Sequence, residues 1–351
     1  MGERKGVVGK RNEKRGANGV FERFPAQPLI FEKHSTPCST VLPHFPFADR
    51  FNDKMGTQPL REGEGRVEID AAYPSEIGLK RTLLAEHPDY YFRALPNHET
   101  AQWEALDLLL HDLHRLDADR FSLEKRGDRW CWRNAALREK TEFVFRKTET
   151  LPLAPLDWIG RQVQEDLLLL AGTPPALVVG QLCFANDWSL DEKLGRPFAE
   201  IHAPVGDSVA PMLRAAGTFV ERLPPNRPVW RLNWSFKHSA ELDQTTRHAP
   251  RLKAELAILA PSLTPETVGE RLMVRVERQT LTCLPHSGAV LFTVRTHQNR
   301  LAAEAADPTR AARILAVLRT TPPGLLDYKS ITPFLDPLMR FLERKSQPAI
   351  P

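Results

Sequence analysis

The segment from Leu272 to Thr296 limits the fold more than any other. Leu272, Val274 and Val276 alternate with Met273, Arg275 and Glu277, the two-residue period of a strand with one apolar and one polar face. Ala289 to Thr296 reads as a second strand. Leu284-Pro285-His286-Ser287-Gly288 between them is turn-forming, so antiparallel pairing is the shortest connection. Val229 to Phe236 and the apolar run Ala176 to Phe184 add further strand-type segments.

Helical patterns lie on both sides of this cluster. Trp103, Leu106, Leu110 and Leu113 form one stripe of a helix over about Glu99 to Leu116, with Asn97 as its expected N-cap. A second helix is expected from about Leu156 to Ala171. Leu156, Ile159, Val163, Leu167 and Leu170 share a helical face there, and Gly172 supplies a C-terminal glycine before Pro174-Pro175. Ser189 and Glu192 have capping-box spacing for a short helix ending at Gly195. Pro211 to Leu223, Thr309 to Arg319 and Pro333 to Arg344 read as helices. Strands clustered between helices, without βαβ alternation, predict an α+β fold with an antiparallel sheet.

Of the 351 residues 42% are hydrophobic, enough for a real core, which excludes wholesale disorder. The net charge of +4 is that of the first twenty residues, where Arg4, Lys5, Lys10, Arg11, Lys14 and Arg15 outnumber Glu3 and Glu13. A basic tail, not a basic face, therefore carries the charge, and nucleic acid is not an expected partner. Residues 1–20 are expected to be disordered, and residues 21–75, rich in Pro and Phe, to form an extended segment wrapped over the folded body. Cys38, Cys131, Cys183 and Cys283 form no C-x-x-C pair, haem-attachment motif or iron–sulfur spacing and read as free thiols of a reducing cytoplasm. No apolar run approaches about 18 residues, and no apolar h-region follows the basic N-terminus, so neither a membrane span nor a secretory signal is expected.

Zincin, hydrolase-elbow, P-loop and Rossmann motifs are all missing from the sequence. His111 and His114, three apart on the first helix, have a spacing open to a metal but read as the polar edges of an amphipathic helix. The strand region is richer. Arg275, Glu277 and Gln279 project to one face, whereas Arg278 and Thr280 join the face of Val276. Arg295 shares the face of Leu291 and Thr293, and Arg231 and Asn233 alternate with Leu232 and Trp234. Charges on both faces of a strand need partners, either in a solvated Arg–Glu ladder or around a pocket. His202, in Glu200-Ile201-His202-Ala203-Pro204-Val205, taken alone reads as a structural hydrogen-bonding residue.

The same segments resemble a known family. Gln164-Glu165-Asp166-Leu167, Asn186-Asp187-Trp188-Ser189 to Lys193-Leu194-Gly195, Ile201-His202-Ala203-Pro204-Val205, Arg231-Leu232-Asn233-Trp234, the run Arg275 to Leu281 and the run Leu284 to Thr296 are similar to the haem-dependent oxidative N-demethylase alpha subunit family. Pro43 to Phe47, Met55-Gly56 and Asp327-Tyr328-Lys329 extend the resemblance, which covers about Pro43 to Glu343.

The resemblance implies a PAS-like haem-binding domain over residues 76–300, followed by a helical extension over 301–351. It implies non-covalent haem b, with His202 as axial ligand and His286 and His238 as the other histidines to consider. Arg231, Asn233 and Trp234 are expected around the cofactor, and Glu277, Arg275, Arg278 and Arg295 as catalytic residues that bind the amine, relay protons or pair bound oxygen or a propionate. The implied reaction is oxidation of a small secondary amine such as dimethylamine with O₂, with electrons drawn from NADPH through flavin and ferredoxin-type reductase partners. On the same scaffold, a haem-binding sensor or carrier and a cofactor-free interaction module are the competing readings.

Overall fold

The alternating segment becomes the middle of a sheet. The computed structural model describes residues 41–347 except 53, 55, 62 and 202–209. Its strands, in chain order, are β1 (Gln58–Pro59), β2 (Phe92–Ala94), β3 (Phe121–Arg126), β4 (Arg129–Asn134), β5 (Glu139–Val144), β6 (Asp166–Ala171), β7 (Ala176–Gln181), β8 (Val229–Lys237), β9 (Met273–Cys283) and β10 (Val290–Arg300). Seven of them form one sheet in the order β1-β8-β9-β10-β6-β7-β2, and β3-β4-β5 form a second. Every pairing within the two sheets is antiparallel. With helices before, between and after the strands, the fold is α+β.

β9 and β10 pair along their whole length, from Val290 opposite Cys283 to Arg300 opposite Met273. This register decides which side chains share a face. Glu277, Gln279 and Leu281 lie with Phe292 and Val294, with Leu168 and Leu170 of β6, and with Arg231 and Asn233 of β8. Val274, Val276, Arg278, Arg295 and His297 lie on the opposite face, together with Leu167 and Leu169. That second face is covered in two parts. Leu167, Leu169 and Leu291 join the core that contains Trp103, Leu106 and Leu110 of the Glu99–Leu116 helix. Phe236, Val274 and Val276 join the core built by the helices Pro308–Thr320 and Leu335–Ser346 through Ile314, Leu318, Leu338 and Leu342.

The expected helix from Leu156 to Ala171 is a correction. Helix stops at Gly160 in the segment Pro155–Gly160, and Asp166–Ala171 is strand β6. Leu167 to Leu170 alternate between two separate cores, and a strand buried on both faces gives the same unbroken apolar run as a buried helix. Gly172, with φ 89°, serves the β6–β7 turn rather than a helix end. Asn97 is a second correction. His98 occupies the N-cap of the Glu99–Leu116 helix without a side-chain bond, and Asn97 takes φ 67° before it.

The helix Tyr73–Glu86 escaped the sequence pattern because its buried side includes a lysine. Tyr73, Ile77, Lys80 and Leu84 are buried on it. Lys80 Nζ donates to the carbonyls of Gly160 (2.9 Å), Val163 (3.1 Å) and Glu165, so one cation gathers the turn that leads into β6. Among the described residues no helix is long and apolar enough to cross a membrane.

Candidate functional site

The face of the sheet carrying Glu277 opens onto a cavity of about 550 Å³. Its wall is apolar where β6, β9 and β10 meet, at Leu168, Leu170, Leu281 and Phe292. Ile201, Val220 of the helix Ala210–Glu221 and Trp188 of the 185–194 stretch also line it. Locally the sequence dictates this enclosure. The Ser189 to Glu192 capping box is formed, with Leu190–Lys193 as its short helix and Gly195 at φ 81° beyond it.

The polar end of the cavity is organised around one carboxylate. Asn233 faces Glu277 across the β8–β9 ladder and its Nδ2 donates to Oε2 at 3.2 Å. Gln279 Nε2 donates to the same oxygen at 2.9 Å. Lys329, from beyond the Pro323–Tyr328 helix, donates to Asn233 Oδ1 at 3.2 Å and to the Trp234 carbonyl at 2.7 Å. Arg231 lies opposite Gln279, and its Nε is buried without a partner.

Cations outnumber anions here. Burial pushes the Lys329 ammonium down to about 8 against the attraction of Glu277. Lys193, 4.2 Å from the Trp188 ring centroid, is likewise lowered by burial to about 8, again opposed by its acidic neighbours. Burial also lowers Arg231, with Glu277 the opposing charge. Such a space favours an anionic, largely apolar guest while keeping the Glu277 carboxylate for a cation.

The residues expected from the sequence divide into two groups. Glu277, Arg231, Asn233 and Trp234 line the cavity together. Arg275, Arg278 and Arg295 do not. Arg275 shares the face of Glu277 but is fully buried, with its guanidinium donating to the carbonyls of Phe184, Leu242 (3.0 Å) and Glu241 (3.3 Å). Arg278 is on the opposite face, donating to the Gly65 carbonyl at 2.8 Å. Arg295, also opposite, bridges Asp70 at 2.6 Å and Glu76 at 2.7 Å. The last two fasten the 65–76 stretch to the sheet.

His202 lies outside the described residues; Ile201, which precedes it in sequence, lines the cavity. His286, in the β9–β10 turn, has its backbone N–H on Glu104 at 2.8 Å, and His238 is 3.7 Å from Glu255; neither lines the cavity. His111 and His114 take separate partners, the carbonyls of Asp107 and Phe121. Lys193, Lys329 and Gln279 were not assigned to a site from the sequence, although each lies within a segment similar to the family. Cys131, Cys183 and Cys283 are free.

An apolar-walled, cation-rich cavity with the Glu277 carboxylate at its polar end is thus built from the segments that carry the sequence resemblance. Residues 58–339 match the sequence profile described as haem-dependent oxidative N-demethylase, alpha subunit-like, and the chain belongs to that family.

Proposed function

We propose that the chain is a haem b-dependent monooxygenase subunit that demethylates a small secondary amine of the dimethylamine type. The observation that carries the reading is the placement of Glu277, a carboxylate held by Asn233 and Gln279 at a polar end where cations outnumber anions, beside an apolar wall.

The residues present fit the cofactor the family requires. About 550 Å³ falls within the range of roughly 300–1,000 Å³ typical of ligand sites. Leu168, Leu170, Leu281 and Phe292 offer the apolar contacts for a macrocycle. Arg231, whose buried Nε lacks a partner, and Lys193 are the cations for its propionates. Among the described residues no histidine, cysteine or methionine lines the cavity, and in this reading His202, next in sequence to Ile201, would hold the iron. When bound, the haem supplies oxygen activation.

The chain's own residues handle the amine. Asn233 and Gln279 both donate to Oε2 of Glu277, which leaves Oε1 for an N–H of the protonated amine. The apolar wall holds the methyl groups and keeps water from them. Arg275, Arg278 and Arg295 are positioning residues in this scheme, acting through the backbone they tether. The antiparallel sheet with its cavity on one face supports a PAS-like description of the domain.

The balanced reaction takes dimethylamine, O₂, two electrons and two protons to methylamine, formaldehyde and water. The family's name implies other subunits; in our reading these include a flavin and iron–sulfur reductase that carries electrons from NADPH, working in the cytoplasm. The test is the purified chain expressed with haem supply. A Soret band, and formaldehyde released in proportion to electrons delivered with dimethylamine and O₂, are expected. No Soret band overturns the haem reading, and a haem protein that yields no formaldehyde is a sensor or carrier instead.

A further inference from the structure

On the face of the sheet opposite Glu277, two histidines close on one carboxylate. His44 Nε2 is 2.8 Å from Glu68 Oε1, and His297 Nε2 is 2.9 Å from Glu68 Oε2. His297 is on β10, whereas His44 and Glu68 belong to the segment that crosses the sheet before the first long helix. The three donor atoms lie within 4.8 Å of one another. Atoms bound tetrahedrally to one zinc-sized ion at about 2.1 Å sit about 3.4 Å apart, so side-chain adjustments of about an ångström bring them to ligating distance.

We propose that His44, Glu68 and His297 form a binding site for a borderline divalent cation of the zinc class. Two imidazole nitrogens and one carboxylate oxygen are the donor set such ions prefer, and three protein ligands leave a position for water. The surroundings supply what a ligating carboxylate needs. Arg278 Nε lies 3.3 Å from Glu68 Oε1, so it can hold that oxygen while Oε2 turns to the ion. The Glu68 backbone N–H donates to Glu165 at 2.8 Å, fixing the residue against β6. Arg278 itself is anchored on the Gly65 carbonyl and lies 5.6 Å over the Trp230 ring. Both histidines now donate Nε2–H to the carboxylate, and the ion takes the place of those two hydrogens. His297 is buried, while His44 and Glu68 keep side-chain exposures of 20% and 27%, which gives an ion a route in from solvent. An ion bound there staples the 44–68 segment to β10.

None of the three residues lines the cavity, and the proposal does not depend on the haem reading. The experiment is calorimetric titration of Zn²⁺ into the full chain after chelator treatment, repeated for Glu68→Gln, His44→Gln and His297→Ala, with circular dichroism as the folding control. One Zn²⁺ per chain is expected, with a rise in Tm on binding. Each folded variant should bind at least roughly tenfold more weakly, the lower end of what loss of even an outer partner costs. No saturable binding by the unsubstituted chain overturns the proposal, as does equal affinity in Glu68→Gln and His44→Gln. The Glu68→Gln variant keeps the side-chain shape, so the question is still answered if His297→Ala fails to fold.

Discussion

Asn233 and Glu277 sit directly opposite each other on neighbouring strands, and the amide of one donates to the carboxylate of the other at 3.2 Å. Gln279, one pleat further along β9, donates to the same oxygen. Two neutral donors on one oxygen orient the carboxylate without cancelling its charge, which is the arrangement a cationic substrate needs. Glu277→Gln is therefore expected to keep the haem spectrum and lose amine turnover, with kcat/KM for dimethylamine down about a hundredfold or more, equivalent to about 3 kcal/mol of transition-state interaction. Steady-state formaldehyde assays on the haem-loaded variant check this. Undiminished turnover would remove Glu277 from the amine site.

The lysines at the cavity give a pH signature. Lys329 and Lys193 titrate at about 8 in the folded chain, lowered by burial, against an ordinary value of about 10.4. Between those values the unfolded chain holds the protons and the folded chain does not, so these two groups make stability rise with pH through that window. Affinity for an anionic guest moves the other way, because the same proton loss removes the cations. Haem dissociation, followed by transfer to an acceptor apoprotein, is expected to accelerate as pH rises from 7 to 9. In a Lys193→Met, Lys329→Met double variant that rise should flatten, and a pH profile unchanged from the parent chain would refute the assignment.

How far the sequence could be read depended on burial. The β9–β10 pair was visible because Val274 and Val276 alternate with polar side chains, and the Glu99–Leu116 helix because its stripe of Trp103, Leu106 and Leu110 has a polar back. β6 lost its signature by being buried on both faces. The arginines in the strands were recognisable as groups needing partners, but pattern alone did not tell which face held the cavity. Arg295 went to Asp70 and Glu76, and Arg231 went to the cavity. Lys329 joined Asn233 and Trp234 across nearly a hundred residues of sequence, a contact that no local spacing contains.

Glu165 tests the sign of a raised carboxyl. It is fully buried, and its desolvation raises it to about 7 despite the pull of Arg295. The folded chain therefore holds a proton that the unfolded chain releases near pH 4.5, and the group's contribution to stability is present below that value and lost as pH rises towards 7. Glu165→Gln keeps an oxygen for the Glu68 N–H and removes the charge. Chemical denaturation should show the variant more stable than the parent at pH 8 by about 1–3 kcal/mol, with the difference shrinking at pH 5. A destabilised variant at pH 8 would mean that the carboxylate form is the one the fold favours.

Lys80 is the opposite case, a buried cation with its donors satisfied. Its ammonium is enclosed by the carbonyls of Gly160, Val163 and Glu165. Replacing it with Met preserves volume but leaves three carbonyl oxygens without that donor inside the core, each a desolvated acceptor. The turn before β6 then loses its fastening, and Asp166, whose carboxylate accepts the backbone N–H groups of Cys183 and Phe184 at 2.8 Å each, sits at the end of that turn on the cavity wall. Lys80→Met is expected to destabilise the chain by about 3 kcal/mol, in the range for breaking a buried charged network. It should also weaken haem retention, because the strand that carries Leu168 and Leu170 is no longer held. Urea denaturation and the haem transfer rate measured on the same preparation separate the outcomes: a loss of stability with unchanged haem retention would show that β6 keeps its place without the lysine.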